Sequence, residues 1–203
     1  MKKIAVLVSG SGSNLQAIID ATTDKKGILR KLAKVALVIS NNPIAFALER
    51  AERAEIATEV VDRRYYSDDK SYDADILKKI QASGADIVCL AGYMRMIGKN
   101  ITDAYAGRIL NIHPALLPKY GGQGMYGHYV HEAVWAAKET KSGATVHFVD
   151  EQYDNGKIVL QREVGLTGKE TPQEIAKKVL VIEHQIYPEA IKKLIDEIEE
   201  VEK

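Results

Sequence analysis

The stretch Ile4-Ala-Val-Leu-Val-Ser-Gly-Ser-Gly-Ser-Asn-Leu-Gln-Ala-Ile-Ile19 sets the frame for the whole chain. Ile4 to Val8 is an unbroken apolar run of strand length, as expected of a strand buried on both faces. Ser9 to Asn14 are small or polar, and Leu15, Ile18 and Ile19 then recur at helical spacing. A buried strand, a glycine turn and a helix make the first unit of a doubly wound sheet. The turn offers backbone N–H groups at the positive end of a helix dipole, which suits one phosphate. Leu15 stands where a dinucleotide fingerprint needs its third glycine, and no Walker lysine follows. The reading is therefore a monophosphate, with a ligand-free strand-to-helix turn as the alternative.

The alternation continues. Val35–Ile39, Thr58–Val61, Ile87–Ala91 and Ile109–His113 read as strands, and Tyr72–Ala82 as a helix stopped by Gly84. Asn42 and Pro43 look like the N-cap and first residue of a helix running to about Ala54. The second half differs. After a helical His128–Ala137, Ala144–Val149 and Lys157–Val164 read as strands joined by the short link Asp150–Gly156, an antiparallel addition. Thr171-Pro-Gln-Glu174 is a capping box that opens a long helix carrying Ile175, Val179, Ile182 and Ile186. Pro188 is expected to break or kink it, ahead of an acid-rich tail. The expected fold is α/β, a doubly wound, mostly parallel sheet with an added antiparallel strand pair and a long C-terminal helix, in a single domain over residues 1–203.

Bulk composition narrows the functional classes. Lys plus Arg and Asp plus Glu both number 28, so net charge is zero and nothing favours nucleic acid or an acidic membrane. The single cysteine, Cys89, lies in an apolar strand and reads as inert core; together with the lack of a signal segment it implies a cytoplasmic protein. His128, His131 and Glu132 are too few for a metal site, so no metal is expected. No Gly-x-Ser-x-Gly elbow is present.

The chemical signal lies in Arg108-Ile-Leu-Asn-Ile-His-Pro114. Asn111 and His113 alternate with apolar residues, so they share one face with Cα atoms about 6.5–7 Å apart. Pro114 ends the pairing. An amide and an imidazole at a strand's end suit a developing negative charge; a capping Asn and a packed core His are the plain alternative. Asp154, in a turn-like segment, is either turn chemistry or an acid that holds an imidazole cationic. His147 is as readily a packed histidine as a functional one. Glu183, beside the apolar run Val179–Ile182, needs partners such as sugar hydroxyls, His184 or a lysine, or else reaches solvent.

Together these motifs resemble the folate-dependent formyltransferases, from Lys3 to about Pro188. The likeness rests on Ser9–Ile19, Leu90-Ala-Gly-Tyr-Met-Arg95, Leu110-Asn-Ile-His-Pro-Ala-Leu-Leu-Pro-Lys119, Gly143–Val149, Tyr153-Asp-Asn-Gly156 and Glu183-His-Gln-Ile-Tyr-Pro188. The resemblance implies a Rossmann-like formyltransferase fold in which residues 1 to about 110 hold the ribonucleotide phosphate and the remainder binds folate and ends in a helix. It implies transfer of a formyl group from 10-formyltetrahydrofolate, as co-substrate, to the amine of glycinamide ribonucleotide in purine synthesis. On that likeness Gly12, Ser13 and Asn14 hold the phosphate and Glu183 the ribose. Met94, Arg95, Met96 and Ile97 border the folate with Asn111, and Val149 and Asp150 begin the loop that encloses the pteridine. Asn111, a protonated His113 and Asp154 form the catalytic set. Two departures stand out. Asp69 occupies a place where several members have Arg, which leaves Lys70 as the nearest cation for the folate tail. Tyr120–His128 is longer than in shorter members, either a lid or a plain surface loop. A tRNA-directed relative is expected to carry a further C-terminal domain and a basic surface, and a formyltetrahydrofolate hydrolase an N-terminal one. A sugar-nucleotide formyltransferase and a non-catalytic phosphate-binding module remain the other readings.

Overall fold

The computed structural model describes residues 1–201. Its elements are β1 (Lys2–Val8), α1 (Ser13–Thr23), β2 (Ala33–Ser40), α2 (Phe46–Arg53), β3 (Thr58–Val60), α3 (Asp69–Ala82), β4 (Ile87–Leu90), α4 (Lys99–Ala104), β5 (Ile109–His113), α5 (His128–Ala136), β6 (Lys141–Phe148), β7 (Ile158–Gly165) and α6 (Pro172–Val201). A short 3-10 turn, Arg63–Tyr65, precedes α3.

The seven strands form one sheet in the order β3-β2-β1-β4-β5-β6-β7. β1 to β5 are parallel, and β6 and β7 are added antiparallel. The expected mostly parallel sheet, antiparallel pair and long last helix are all present. Strand order reverses between β1 and β4, so a crevice opens at the carboxyl ends of these strands, where open α/β sheets bind ligands.

Two cores lie on opposite faces, following the two-residue strand period. Ile4, Val6 and Val8 join α1, α2, α5 and α6 on one side, and Ala5 and Leu7 join α3 and α4 on the other. α6 packs on α1, α5, β5, β6 and β7. Its fully buried Tyr187 shares its phenolic hydrogen between the carbonyl oxygens of Leu90 (2.9 Å) and Leu110 (3.0 Å), pinning the helix to β4 and β5.

Several local expectations are corrected. Asn42 does not cap a helix at Pro43. Its Oδ1 accepts from the Ile44 N–H at 3.2 Å in a turn, and α2 starts at Phe46. The side chain offers the backbone a local partner that competes with helix. Pro188 does not end α6, which continues to Val201 through what read as an acidic tail. Proline costs about 3 kcal/mol in a helix interior, whereas each apolar side chain buried beyond it, Ile191, Leu194 and Ile195 among them, gains about 1.5–3 kcal/mol. Burial wins. The capping box forms as expected, with the Thr171 N–H donating to Glu174 Oε2 at 2.8 Å and the Glu174 N–H to Thr171 Oγ1 at 3.3 Å. α4 was not foreseen, because six residues are too few to show a period.

Replacing Tyr187 with Phe removes a buried phenolic donor from two carbonyls. Urea unfolding is expected to show a loss of about 1–2 kcal/mol; an unchanged midpoint contradicts the pinning role.

Candidate active site

β5 delivers Asn111 and His113 into a cavity of about 340 Å³ at the crevice, and β6 delivers His147. The antiparallel register explains why they meet: Asn111 lies opposite His147, and His113 opposite Thr145. Sequence alternation put His147 on a defined face of its strand, but only the pairing of β5 with β6 brings it to Asn111. Asp154 arrives from the β6–β7 connection with φ of +51°, a left-handed conformation that Asp tolerates better than most residues.

The four side chains form one buried polar network. His147 Nδ1 is 2.8 Å from the Phe148 carbonyl oxygen, which can only accept, so that nitrogen carries the proton. His147 Nε2 therefore accepts from the Asn111 amide, Nδ2 to Nε2 being 3.0 Å. The same amide nitrogen stands 3.5 Å from Asp154 Oδ1, so one of its hydrogens is firmly held and the other only loosely. Asp154 Oδ1 is also 3.5 Å from His147 Nε2, and Oδ2 is 3.4 Å from His113 Nδ1. The Gly122 N–H donates to Oδ2 at 2.9 Å. His113 Nε2–H donates to the Tyr120 carbonyl at 2.7 Å.

Burial works against the expected imidazolium at His113. Burial pushes the ring below the ordinary histidine value, and Asp154 and the Tyr120 carbonyl only partly oppose this. The ring is only 4% exposed, and a carboxylate 3.4 Å away does not outweigh lost hydration. Burial tends to raise Asp154, but the neighbouring His147 and His113 rings and the Gly122 N–H prevail and hold the carboxyl below its usual range. His131 on α5 also lines the cavity; burial lowers it to about 4, and its Nδ1 has no hydrogen-bond partner among the described residues. No group of three or more His, Cys, Asp or Glu residues suited to a metal ion occurs among the described residues.

At the β1 end, α1 begins directly after the glycine turn with no side-chain cap and no acid in its first turn. Its first N–H groups and dipole thus face the crevice uncompensated. Ser13 and Asn14 line the cavity, whereas Gly12 shapes it: φ is +71°, and a Cβ there would sit 2.6 Å from that of Ala47. Arg50, unnoticed in the sequence because α2 is remote in the chain, donates from Nε to the Ser11 carbonyl at 2.8 Å and brings a cation to the turn. Glu183, 8% exposed, accepts from Asn14 Nδ2 at 2.6 Å. Its partner is thus Asn14 rather than His184 or a lysine. Burial raises its pKa, against the Asn14 bond, and Asn14 Oδ1 is buried without a hydrogen-bond partner among the described residues. A buried acceptor pair of this kind is matched to ligand hydroxyls and N–H groups.

At the β4 end, the Met94 N–H donates to Ser9 Oγ at 2.8 Å, tying this segment to the glycine turn. Met94, Arg95, Met96, Ile97, Asn111, Val149 and Asp150 all line the cavity. Lys70 does not. Tyr72 points into the core, 1% exposed, and Lys70, two residues earlier, lies about 200° round the helix and faces solvent. The cations bordering the adjoining cleft of about 520 Å³ are Arg95 and Lys99. Asp69 accepts from Arg63 at 2.6 Å and from Arg95 at 3.0 Å. The Tyr120–His128 segment is more than a surface loop, since Gly122, Gly124, Met125, Tyr126 and Gly127 form one wall of the cavity.

Glu183 favours its protonated form in the fold relative to the unfolded chain, so its contribution to stability is present at low pH and lost as pH rises above the unfolded carboxyl value. Glu183→Gln is expected to raise the thermal midpoint at pH 7.5, with the gain shrinking towards pH 4. Equal shifts at both pH values contradict the buried-charge reading.

A family model described as formyl transferase matches residues 2–191. Phosphoribosylglycinamide formyltransferase of Haemophilus influenzae is 43% identical over 192 residues, covering 95% of this chain and 86% of that protein. The trifunctional purine biosynthetic protein adenosine-3 of Drosophila melanogaster is 39% identical over 195 residues, covering 96% of this chain but only 14% of that protein. The crystal structure of glycinamide ribonucleotide transformylase 1 from Symbiobacterium toebii superposes with a TM-score of 0.89 at 38% identity, over 97% of this chain and 88% of that one. With the match running from β1 into α6 and across every strand that builds the cavity, the chain belongs to the formyl transferase family.

Proposed function

We propose that this chain transfers a formyl group from 10-formyltetrahydrofolate to the amine of glycinamide ribonucleotide, as a single domain working in the cytoplasm. The first 110 or so residues supply the phosphate turn, and the remainder supplies the catalytic network and Glu183. The observation that carries the reading is one carboxylate, Asp154, within 3.5 Å of an amide and two imidazoles, in a cavity that also includes the start of α1. The agreement with relatives named for this reaction supports the choice of acceptor.

The folate supplies a formyl carbon that accepts a nucleophile and a nitrogen that leaves. The chain's residues answer the charges this creates. Ser13, the α1 N-terminus and Arg50 hold a phosphate, and Glu183 with Asn14 takes ribose hydroxyls. Met94, Ile97 and Val149 offer an apolar wall for the pteridine, and Arg95 and Lys99 face its acidic tail. When the amine attacks, the carbonyl oxygen becomes an oxyanion, and the loosely held Asn111 hydrogen turns to it. His113, neutral at rest, carries its proton on Nε2 and leaves Nδ1 to receive the proton that the amine sheds. The imidazolium so formed faces Asp154 and the oxyanion, and it returns the proton to the leaving nitrogen. His147 keeps the Asn111 amide in register.

Removing a donor of this kind typically lowers kcat about 100- to 1000-fold. Asn111→Ala and Asp154→Asn are expected to fall in that range, in an absorbance assay of formyl transfer to glycinamide ribonucleotide, with the circular dichroism spectrum unchanged. Near-wild-type turnover in either variant, or formate release that needs no acceptor, overturns the reading. Lys70→Ala is expected to leave the folate KM unchanged, whereas Lys99→Ala raises it.

A further inference from the structure

Tyr120 contributes to the network through its backbone alone. Its carbonyl is the acceptor for His113 Nε2–H, at 2.7 Å. Its φ of +57° lies in the left-handed region, which strains a residue with a side chain and persists only where the surroundings hold it. The holder is on the outer side of the segment. The Tyr120 phenol donates to Glu139 Oε1 at 2.9 Å, and the same oxygen accepts from Lys119 Nζ at 2.9 Å. Glu139 follows α5 and borders a separate cavity of about 340 Å³ with Leu116, Val134 and Ser142, away from the reacting groups.

The next two residues complete a clamp. A Cβ at Gly121 would stand 2.5 Å from Leu117 Cδ2 and 3.2 Å from Asp154 Cβ, so the backbone passes close against the catalytic carboxylate. Gly122 then donates its N–H to Asp154 Oδ2. Residues 120–122 thus grip the imidazole through a carbonyl and the carboxylate through an amide.

We propose that Tyr120 and Glu139 are positioning residues for His113: their phenol–carboxylate bond holds the Tyr120 carbonyl where it keeps the ring proton on Nε2. The neutral ring has one proton and an acceptor near each nitrogen, the Tyr120 carbonyl at Nε2 and Asp154 at Nδ1. A carboxylate is the stronger acceptor of the two. Once the carbonyl swings away, the proton settles on Nδ1 against Asp154, and Nδ1 loses the lone pair that receives a proton in the reaction. The titratable groups facing the ring are Asp154, His147 on β6 and His131 on α5, and none of them favours the Nε2 proton by direct contact.

The proposal rests on the formyl-transfer reading for its kinetic arm only. Nitrogen-15 spectra of the histidine rings in the full chain, with His113 assigned through His113→Asn, are expected to show the Nε2–H form in the wild type. Tyr120→Phe and Glu139→Ala are expected to move His113 towards the Nδ1–H form and lower kcat about 10- to 100-fold. Both substrates' KM values stay unchanged, and the histidine limb of the pH–rate profile is displaced. Glu139→Gln, whose amide oxygen still accepts the phenolic hydrogen, is expected to keep the wild-type ring spectrum and turnover. A wild-type tautomer and pH profile in Tyr120→Phe or Glu139→Ala overturns the proposal, as does a loss of kcat that tracks only a loss of folded protein. A tautomer change in those variants alongside a wild type that transfers no formyl group overturns the assigned reaction and leaves the positioning role intact.

Discussion

The carboxylate of Asp154 is the point on which the rest depends. It is largely buried, yet the neighbouring histidines and the Gly122 N–H hold its carboxyl below the usual range. Each side chain around it is in turn committed to one orientation by something else: His147 by the Phe148 carbonyl, Asn111 by His147, and His113 by the Tyr120 carbonyl. A buried network of this kind is costly when partly satisfied and rigid when complete. Burial of the His113 ring pushes its pKa below the ordinary histidine value. A permanent cation in so dry a place would lose its hydration with only one carboxylate, 3.4 Å away, to compensate.

The sheet makes the arrangement possible. Reversal of strand order between β1 and β4 brings the glycine turn, the Met94–Ile97 segment and the end of β5 to one crevice, although they are remote in the chain. The two antiparallel strands then add what a purely parallel sheet lacks, a neighbour running back along β5 that sets His147 opposite Asn111 and sends Asp154 from its far end. α6 closes the other side. Tyr187 anchors it to β4 and β5, and four residues earlier the same helix presents Glu183 to Asn14 of α1. The cavity-lining Glu183 and the Tyr187 anchor therefore lie on successive turns of one helix.

Much of this was legible in the sequence, and the failures have a common character. The buried strands, the glycine turn, the shared face of Asn111 and His113 and the capping box all follow from neighbours in the chain. Asn42 misled because an Asn before a Pro reads as a cap, whereas its side chain here closes a tighter local turn. Pro188 misled because its local cost is known and the apolar burial beyond it is not. Lys70 is the nearest cation along the chain, but the inward Tyr72 turns it outward, away from the cavity.

The sequence by itself determined the α/β class, the order of the strands along the chain and the shared face of Asn111 and His113, because periodicity and turn chemistry act over a few residues. Only the tertiary structure decided which strand lies beside which, and hence that His147 belongs to the network, that Arg50 reaches the glycine turn while Lys70 faces solvent, and that His113 donates to a tyrosine carbonyl. Those outcomes depend on burial and on acceptors brought together from distant parts of the chain, and the free energies involved exist only once water has been excluded from the space between them.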